Sequence, residues 1–412
     1  MKKFLAPFLA LVLLFSSGCG KRFYERLDVR VAAGDFHAAE KMVELEKKQQ
    51  KEGVYNKEKN KLLYYFDKGA LAQANGDYGE STEALNKADR LIEKYYTRSV
   101  GDEAWSFFSN DLNLKYSGED FEQVMVNIYK ALNFMYSGDF GGARIEAKKV
   151  DFKLNTFEDE AGENAFYVDD ALARYMSAFA YEALGELDDA YIDYKKSYRV
   201  YKKYRRDYGT EIPVQVKKDI MRTAEARGFH DDLENWKKEF AGIEYEKYSR
   251  LKNMGEVMIV IYDGMPAYKK DNNGMPYFKK RGYALASVRV KTGKKYYPGF
   301  VAQNVSAMAV KNLEKKNALI LLKTAARRVV KGIAKEIPVL NFFIGKEKAD
   351  TRCWRTVPAR FMMVRVPVNP GKTVLEIEME PYSKKKEVKT EKIEVETGKG
   401  EKKVLPLFVY SI

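Results

Sequence analysis

Four short turns of one make-up constrain this chain more than any other feature. Gly34-Asp35-Phe36, Gly76-Asp77-Tyr78, Gly138-Asp139-Phe140 and Gly185-Glu186-Leu187 each close one apolar-periodic stretch and open the next. A glycine there accepts the left-handed backbone that ends a helix, and the acid can cap the helix that follows. The apolar residue after it can pack back across the pair. Seven residues before these glycines stand Leu27, Gly69, Ala131 and Ala178, the last three small enough to let a paired helix approach. Second apolar patterns follow the turns, such as Ala84, Leu85 and Ala88, or Ala190, Tyr194 and Tyr198. Residues 21–240 keep a three-and-four spacing almost throughout, as in Leu172, Tyr175, Met176, Phe179 and Ala183. The prediction is a stack of antiparallel helical hairpins, because one hairpin cannot bury its own apolar face.

These units resemble the tetratricopeptide repeat (TPR), most closely over residues 171–201 with Tyr175, Ala178, Gly185, Ala190, Tyr194 and Tyr198. The turn glycines are 42, 62 and 47 residues apart, so the repeats are degenerate or separated by insertions. The concave face of such a solenoid receives a peptide or protein segment.

From Glu256 the period changes. Val257 to Tyr262 is a continuous apolar run suited to a buried strand, and Tyr283 to Val290 alternates. The stretch between them, with Gly264, Pro266, Asn272, Asn273, Gly274 and Pro276, reads as a loop. Phe361 to Val368 and Thr373 to Met379 read as strands flanking a tight turn, with further strands at Lys389 to Glu396 and Val404 to Tyr410. One long amphipathic helix, at about 305–335, carries a basic stripe of Lys323, Arg327, Lys331 and Lys335. After it comes the apolar segment Ile337 to Gly345. The expected fold class is α+β: an N-terminal all-α TPR-like helical-repeat solenoid over residues 19–250, then a C-terminal antiparallel β-rich, sandwich-like domain over 251–412.

Charge shifts at the same place. Residues 251–412 hold 33 Lys and Arg against 15 Asp and Glu, while the rest of the chain holds 40 against 44. A basic half suits an anionic wall or capsule polymer, lipid headgroups or an acidic protein, or it is a solvated lysine-rich surface. No zinc-finger or RNP-type pattern suggests nucleic acid.

The first residues supply an address. Lys2 and Lys3 precede an apolar run from Phe4 to Phe15, then Ser16, Ser17, Gly18 and Cys19. The run is too short to span a bilayer, for which about 20 residues are needed, and reads as a cleaved leader over 1–18. It resembles a bacterial lipoprotein signal, although Ser16 stands where leucine is usual. That resemblance implies lipidation of Cys19, as with palmitate, and leaves Cys353 as the only other cysteine.

Candidate partner-binding residues fall in two regions. The irregular stretch from Ser99 to Glu122 offers Trp105, Asn110, Asp111, Tyr116 and Phe121, followed by Tyr129, Asn133 and Arg144. The dense polar and aromatic cluster Asp350-Thr351-Arg352-Cys353-Trp354-Arg355 offers Asp350, Arg352, Trp354 and Arg355. Its plainer reading is an Asp350–Arg pair bracing a strand entrance. Asn110-Asp111, Tyr116 to Glu122, Tyr129 to Phe134, Ala143 to Ala147, Ala173 to Ser177, and Asp350 to Arg352 with Trp354 to Pro358 together resemble a poorly characterised family of bacterial envelope lipoproteins with degenerate TPR-like repeats. The resemblance implies an exported, non-enzymatic protein facing the periplasm, on the outer membrane.

Catalytic patterns are sparse. His37 and His230 do not share a metal-ligand spacing, and there is no glycine-rich phosphate loop or nucleophile elbow. A wall hydrolase would need two carboxylates at a set separation in a cleft, which sequence cannot display. The leading expectation is therefore a membrane-anchored, cofactor-free scaffold that binds an envelope protein or peptide. A polymer-binding basic half is the alternative, and a hydrolase comes third.

Overall fold

The computed structural model describes residues 22–49, 53–55, 57–96, 114–161, 167, 169–317 and 349–411. The leader, Cys19, Trp105, Asn110, Asp111, the basic stripe beyond residue 317 and the apolar segment at 337–345 lie outside the described residues. Helices α1 (22–32), α2 (Phe36–Lys48), α3 (Lys61–Ala74), α4 (Tyr78–Tyr96), α5 (Asp120–Tyr136), α6 (Phe140–Ala161), α7 (Ala171–Ala183), α8 (Leu187–Tyr208), α9 (Val214–Arg227), α10 (His230–Glu239) and α11 (Tyr248–Leu251) come first. Strands follow: β1 (Gly255–Asp263), β2 (Tyr268–Asn272), β3 (Met275–Lys279), β4 (Leu285–Thr292), β5 (Lys295–Pro298) and β6 (Phe300–Gln303), then helix α12 (305–317). Strands β7 (Arg360–Val368), β8 (Gly371–Pro381), β9 (Lys389–Thr397) and β10 (Lys402–Val409) end the chain.

The turn chemistry works as the residues require. At all four predicted turns the glycine has positive φ, from 72° at Gly34 to 86° at Gly76. The acid's N–H reaches back five residues: Asp35 to the Arg30 carbonyl, Asp77 to Ala72, Asp139 to Phe134 and Glu186 to Tyr181. The glycine N–H closes the inner bond of the same Schellman motif. Asp35 and Asp139 then cap the next helix by accepting from the N–H of Ala38 and Gly142. Gly228-Phe229 forms a fifth turn of the same kind, with φ +69° and a Phe229 N–H to Ala224 carbonyl bond. Its lack of an acid hid it from the sequence pattern.

The chain forms two compact units, each assembled from separate stretches: Met1–Glu119, Tyr268–Lys279 and Lys316–Thr356 in one; Asp120–Ala267, Lys280–Lys315 and Val357–Ile412 in the other. Helix gives way to strand at Gly255, close to the charge switch. The division expected at residue 250 is thus a change of secondary structure, while the compact units interleave segments from both sides of it.

The first unit packs α2 on α3 and α3 on α4. It also holds the β2–β3 hairpin, in a stretch read from sequence as loop. Asn273 and Gly274 both have positive φ, 51° and 88°, at a two-residue turn whose register pairs Asn272 with Met275. Those angles belong to a type I′ turn, for which Asn-Gly is the favoured pair.

The second unit stacks the hairpins α5–α6, α7–α8 and α9–α10 and adds a β-sandwich. One sheet has the order β10-β1-β7-β6 and the other β5-β4-β8-β9. Val257, Ile259 and Ile261 of β1, Val364 and Val366 of β7, Val288 and Val290 of β4, and Leu375 and Ile377 of β8 meet in the core between them. All nine residues of β1 are buried, because helices cover the outer face of its sheet. The Tyr129 ring of α5 lies 6.0 Å from Tyr262 of β1 and 6.2 Å from Phe361 of β7. Two departures from a wholly antiparallel sandwich stand out. β10 pairs with β1 in parallel, and the turn after β7 carries the chain into the opposite sheet, so β7 and β8 are not partners.

Candidate functional site

The 350–356 segment belongs to the first unit, and its charges are spent on that unit. Asp350 holds the Arg352 guanidinium at 2.6 Å. Arg352 Nη1 donates to the carbonyls of Lys59 and Leu114 and to Asn60 Oδ1, at 3.0–3.3 Å, with its guanidinium 5.2 Å from the Tyr116 ring. The expected Asp350–Arg pair exists, but it braces two loops and not a strand entrance. Arg355 pairs with Asp28 and lies over the rings of Tyr24 and Tyr268. Trp354 is 1% exposed and stacks on Phe66 at 4.4 Å. Its Nε1 donates to Thr356 Oγ1, which donates to Asp67.

Asp67 is a buried carboxyl there with an unusual proton affinity. Burial pushes it up to about 6, against the pull of hydrogen bonds from Tyr55 and Thr356. Nothing in the sequence pattern singled it out.

The remaining predicted residues sit in or beside the helices. Tyr116, Phe121, Tyr129 and Asn133 are buried. Arg144 is the one among them on the outside. It bonds Glu186 at 2.8 Å, tying α6 to the next turn, and its guanidinium lies 5.3 Å from the Tyr181 ring.

The densest polar group in the second unit is a buried ion network between helices and sheet. Arg365 of β7 reaches Glu256 at 2.6 Å, Asp219 at 2.9 Å and Glu182 at 3.2 Å. Arg222 bonds Glu182 at 2.7 Å and Asp219 at 2.8 Å, and Lys402 bonds Glu182 and Glu256. Three cations balance three carboxylates. Burial pushes Glu256 up, but Arg365 and Lys402 outweigh it and hold the carboxyl at about 2. Glu182 is likewise held well below the usual carboxylate range by Arg222, Lys402 and Arg365. Groups locked in these ionisation states cannot trade protons near neutrality, so the network is a joint and not an acid–base site. Its one visible signal was an arginine inside the apolar run Phe361 to Val368.

A cleft of about 890 Å³ opens in the second unit between the 209–213 loop with the start of α9 and strands β5 and β6. Tyr283, Tyr296, Tyr297 and Tyr382 line it with Pro213, Pro298 and Phe300. Arg360 is committed to Asp263 at 2.6 Å and stacks 4.2 Å from the Tyr283 ring, and Lys295 pairs with Glu246 at 3.6 Å. Beside Tyr382, residues 382–390 are exposed throughout. A second groove, in the first unit, runs between α1 and α2 over Val29, Met42 and Leu45.

Among the described residues no three His, Cys, Asp or Glu side chains gather to hold a metal ion. Among the same residues no helix is long and apolar enough to cross a membrane.

No family model matches the chain, and no curated protein matches it at a significant level. Solved structures do overlap with it. A crystal structure of MamA is 15% identical with a TM-score of 0.33, covering 52% of this chain and 90% of its own. A structure of the nearly identical TPR-like repeats of a kinesin light chain from Podosopora anserina is 14% identical with a TM-score of 0.35, covering 54% and 93%. Scores of that size carry no argument, and the TPR-like architecture rests on the hairpins themselves.

Proposed function

We propose that this chain is an exported lipoprotein whose helical hairpins dock a protein or peptide of the bacterial envelope, without chemistry of its own. The carrying observation is the position of Cys19. The first described helix begins at residue 22, so cleavage before Cys19 removes none of the described residues. A lipid on Cys19 would sit three residues before the first described residue. Degenerate TPR-like hairpins supply a scaffold, and an anchor makes a scaffold useful by keeping it at one surface, here read as the periplasmic face of the outer membrane.

The test is metabolic labelling with palmitate, paired with crosslinking in cells. Label is expected on the wild-type chain and absent from Cys19→Ala, with envelope proteins among the crosslinked neighbours. An unlabelled wild-type chain overturns the anchor, and neighbours drawn from no envelope protein overturn the scaffold.

A second reading gives the basic half its own ligand, an anionic wall or capsule polymer. It is favoured by Lys384, Lys385 and Lys386, which stand together in an exposed loop with no carboxylate at ion-pair distance among the described residues.

A further inference from the structure

From the tyrosine-lined cleft of the second unit we infer a binding site for a carboxylate-bearing saccharide, the uronic-acid type of anionic polymer. The inference rests on the second reading above and assigns it a place.

Three observations point to a ligand. Thr210, among the cleft-lining residues, is 4% exposed and its Oγ1 has no hydrogen-bond partner. A buried hydroxyl left without a partner loses about 1–3 kcal/mol unless something satisfies it. Lys218 of α9 also lines the cleft and is half-buried, and no carboxylate of the described residues pairs with it. The other cations at this wall, Lys295, Arg360 and Arg365, already hold acids. The carboxylates of the lining, Glu211 and Glu246, pair with Arg205 and with Arg250 and Lys295, so the Lys218 ammonium is left without an ion-pair partner among the described residues.

The third observation is the aromatic wall. Tyr296 and Tyr382 are 49% and 60% exposed, large values for rings that border a cleft. Tyrosine offers a flat apolar body with a polar tip, which suits the apolar face and the hydroxyls of a sugar ring. One residue beyond Tyr382 come Lys384, Lys385 and Lys386, so a chain leaving the cleft along that side meets three more cations with no carboxylate at ion-pair distance among the described residues. A volume of about 890 Å³ is in the range of small-molecule sites.

A peptide fits these features less well. An extended peptide would pair with a sheet edge, and β5 and β6 are the edges here. β5 ends at Pro298, which has no N–H to give, and the chain changes sheet at Gly299. The edge is too short and too broken for a ladder.

Calorimetric titration of the detergent-solubilised full chain tests this, with a hexamer of galacturonic acid, a hexamer of glucose and hexaglutamate as probes. The uronate hexamer is expected to bind at least about tenfold more tightly than either of the others. Lys218→Met and Tyr382→Ala are each expected to weaken it about tenfold with the circular dichroism spectrum unchanged. Hexaglutamate binding as tightly as the uronate hexamer overturns the saccharide assignment. If only the combined Lys384→Ser, Lys385→Ser and Lys386→Ser change abolishes binding, polymer binding stands and the cleft is overturned. If the uronate hexamer does not bind, both fall.

Discussion

Arg365 of β7 and Asp219 of α9 meet at 2.9 Å with both side chains buried, and this pair fixes a sandwich strand to a repeat helix. Tyr175 donates to the same carboxylate at 2.8 Å, so β7, α9 and α7 share one acceptor. Removing the arginine alone would strand charge: Glu182, Asp219 and Glu256 would be left with Arg222 and Lys402. Breaking a buried pair in this way costs about 3–5 kcal/mol. Arg365→Met should therefore speed hydrogen exchange at the β1 and β7 amides of the second unit by a corresponding factor. A change under about 1 kcal/mol in that measurement would mean the network relaxes around the vacancy.

The same network sets an acid limit. Glu182 and Glu256 lie below their ordinary value in the fold, so the unfolded chain binds protons first as pH falls. Their contribution is complete above about pH 4.5 and is lost as pH drops toward 2. The amides of β1 should keep their protection at pH 5 and lose it below pH 4. In Glu256→Gln that loss should be shallower, and an equally steep loss in the variant would remove Glu256 from the account.

The first unit should respond with the opposite sign. Asp67 is raised to about 6 from an ordinary 3.8, so here the folded state binds the proton first. Acidification from pH 7 to pH 5 then stabilises the unit, and the gain tends to about 3 kcal/mol once pH is below both values. Asp67→Asn has no proton to bind, so the difference between wild type and variant isolates the effect. Exchange at the α3 amides should slow on acidification in the wild type relative to the variant. Parallel pH profiles for the two proteins would show that Asp67 titrates normally.

What the sequence made legible follows from where the information is local. A glycine followed by an acid fixes a Schellman turn within six residues, so Gly34, Gly76, Gly138 and Gly185 could be read directly, and Gly228 was missed only because Phe229 replaces the acid. Val257 to Tyr262 betrayed a strand buried on both faces by its unbroken apolar run. The parallel partner of that strand was not legible, because β10 lies some 140 residues downstream and pairing leaves no mark on either segment alone. Trp354 and Tyr129 stood among the candidate partner-binding residues because aromatic side chains serve cores and surfaces equally well. Lys218 and Thr210 gave no signal, since what distinguishes them is a missing partner, which only the folded arrangement can reveal.

The small residues before the turns carry a test of the hairpin packing. A Cβ placed on Gly69 of α3 would lie 2.6 Å from Leu85 Cγ and 2.7 Å from its Cδ2, so α3 and α4 touch there. Alanine is the better helix former by about 1 kcal/mol, and in an uncrowded helix Gly69→Ala would stabilise. Overpacking of about 1–3 kcal/mol opposes that gain, and a lowered melting temperature is expected. Leu85→Ala alone opens a cavity and destabilises by about 2–5 kcal/mol. In the double variant the new methyl occupies space that the leucine has vacated, so the two losses should sum to more than the measured total by about 0.5–3 kcal/mol. Strict additivity in that cycle would show that Gly69 and Leu85 do not share a contact, and the close approach of α3 to α4 would have to be abandoned.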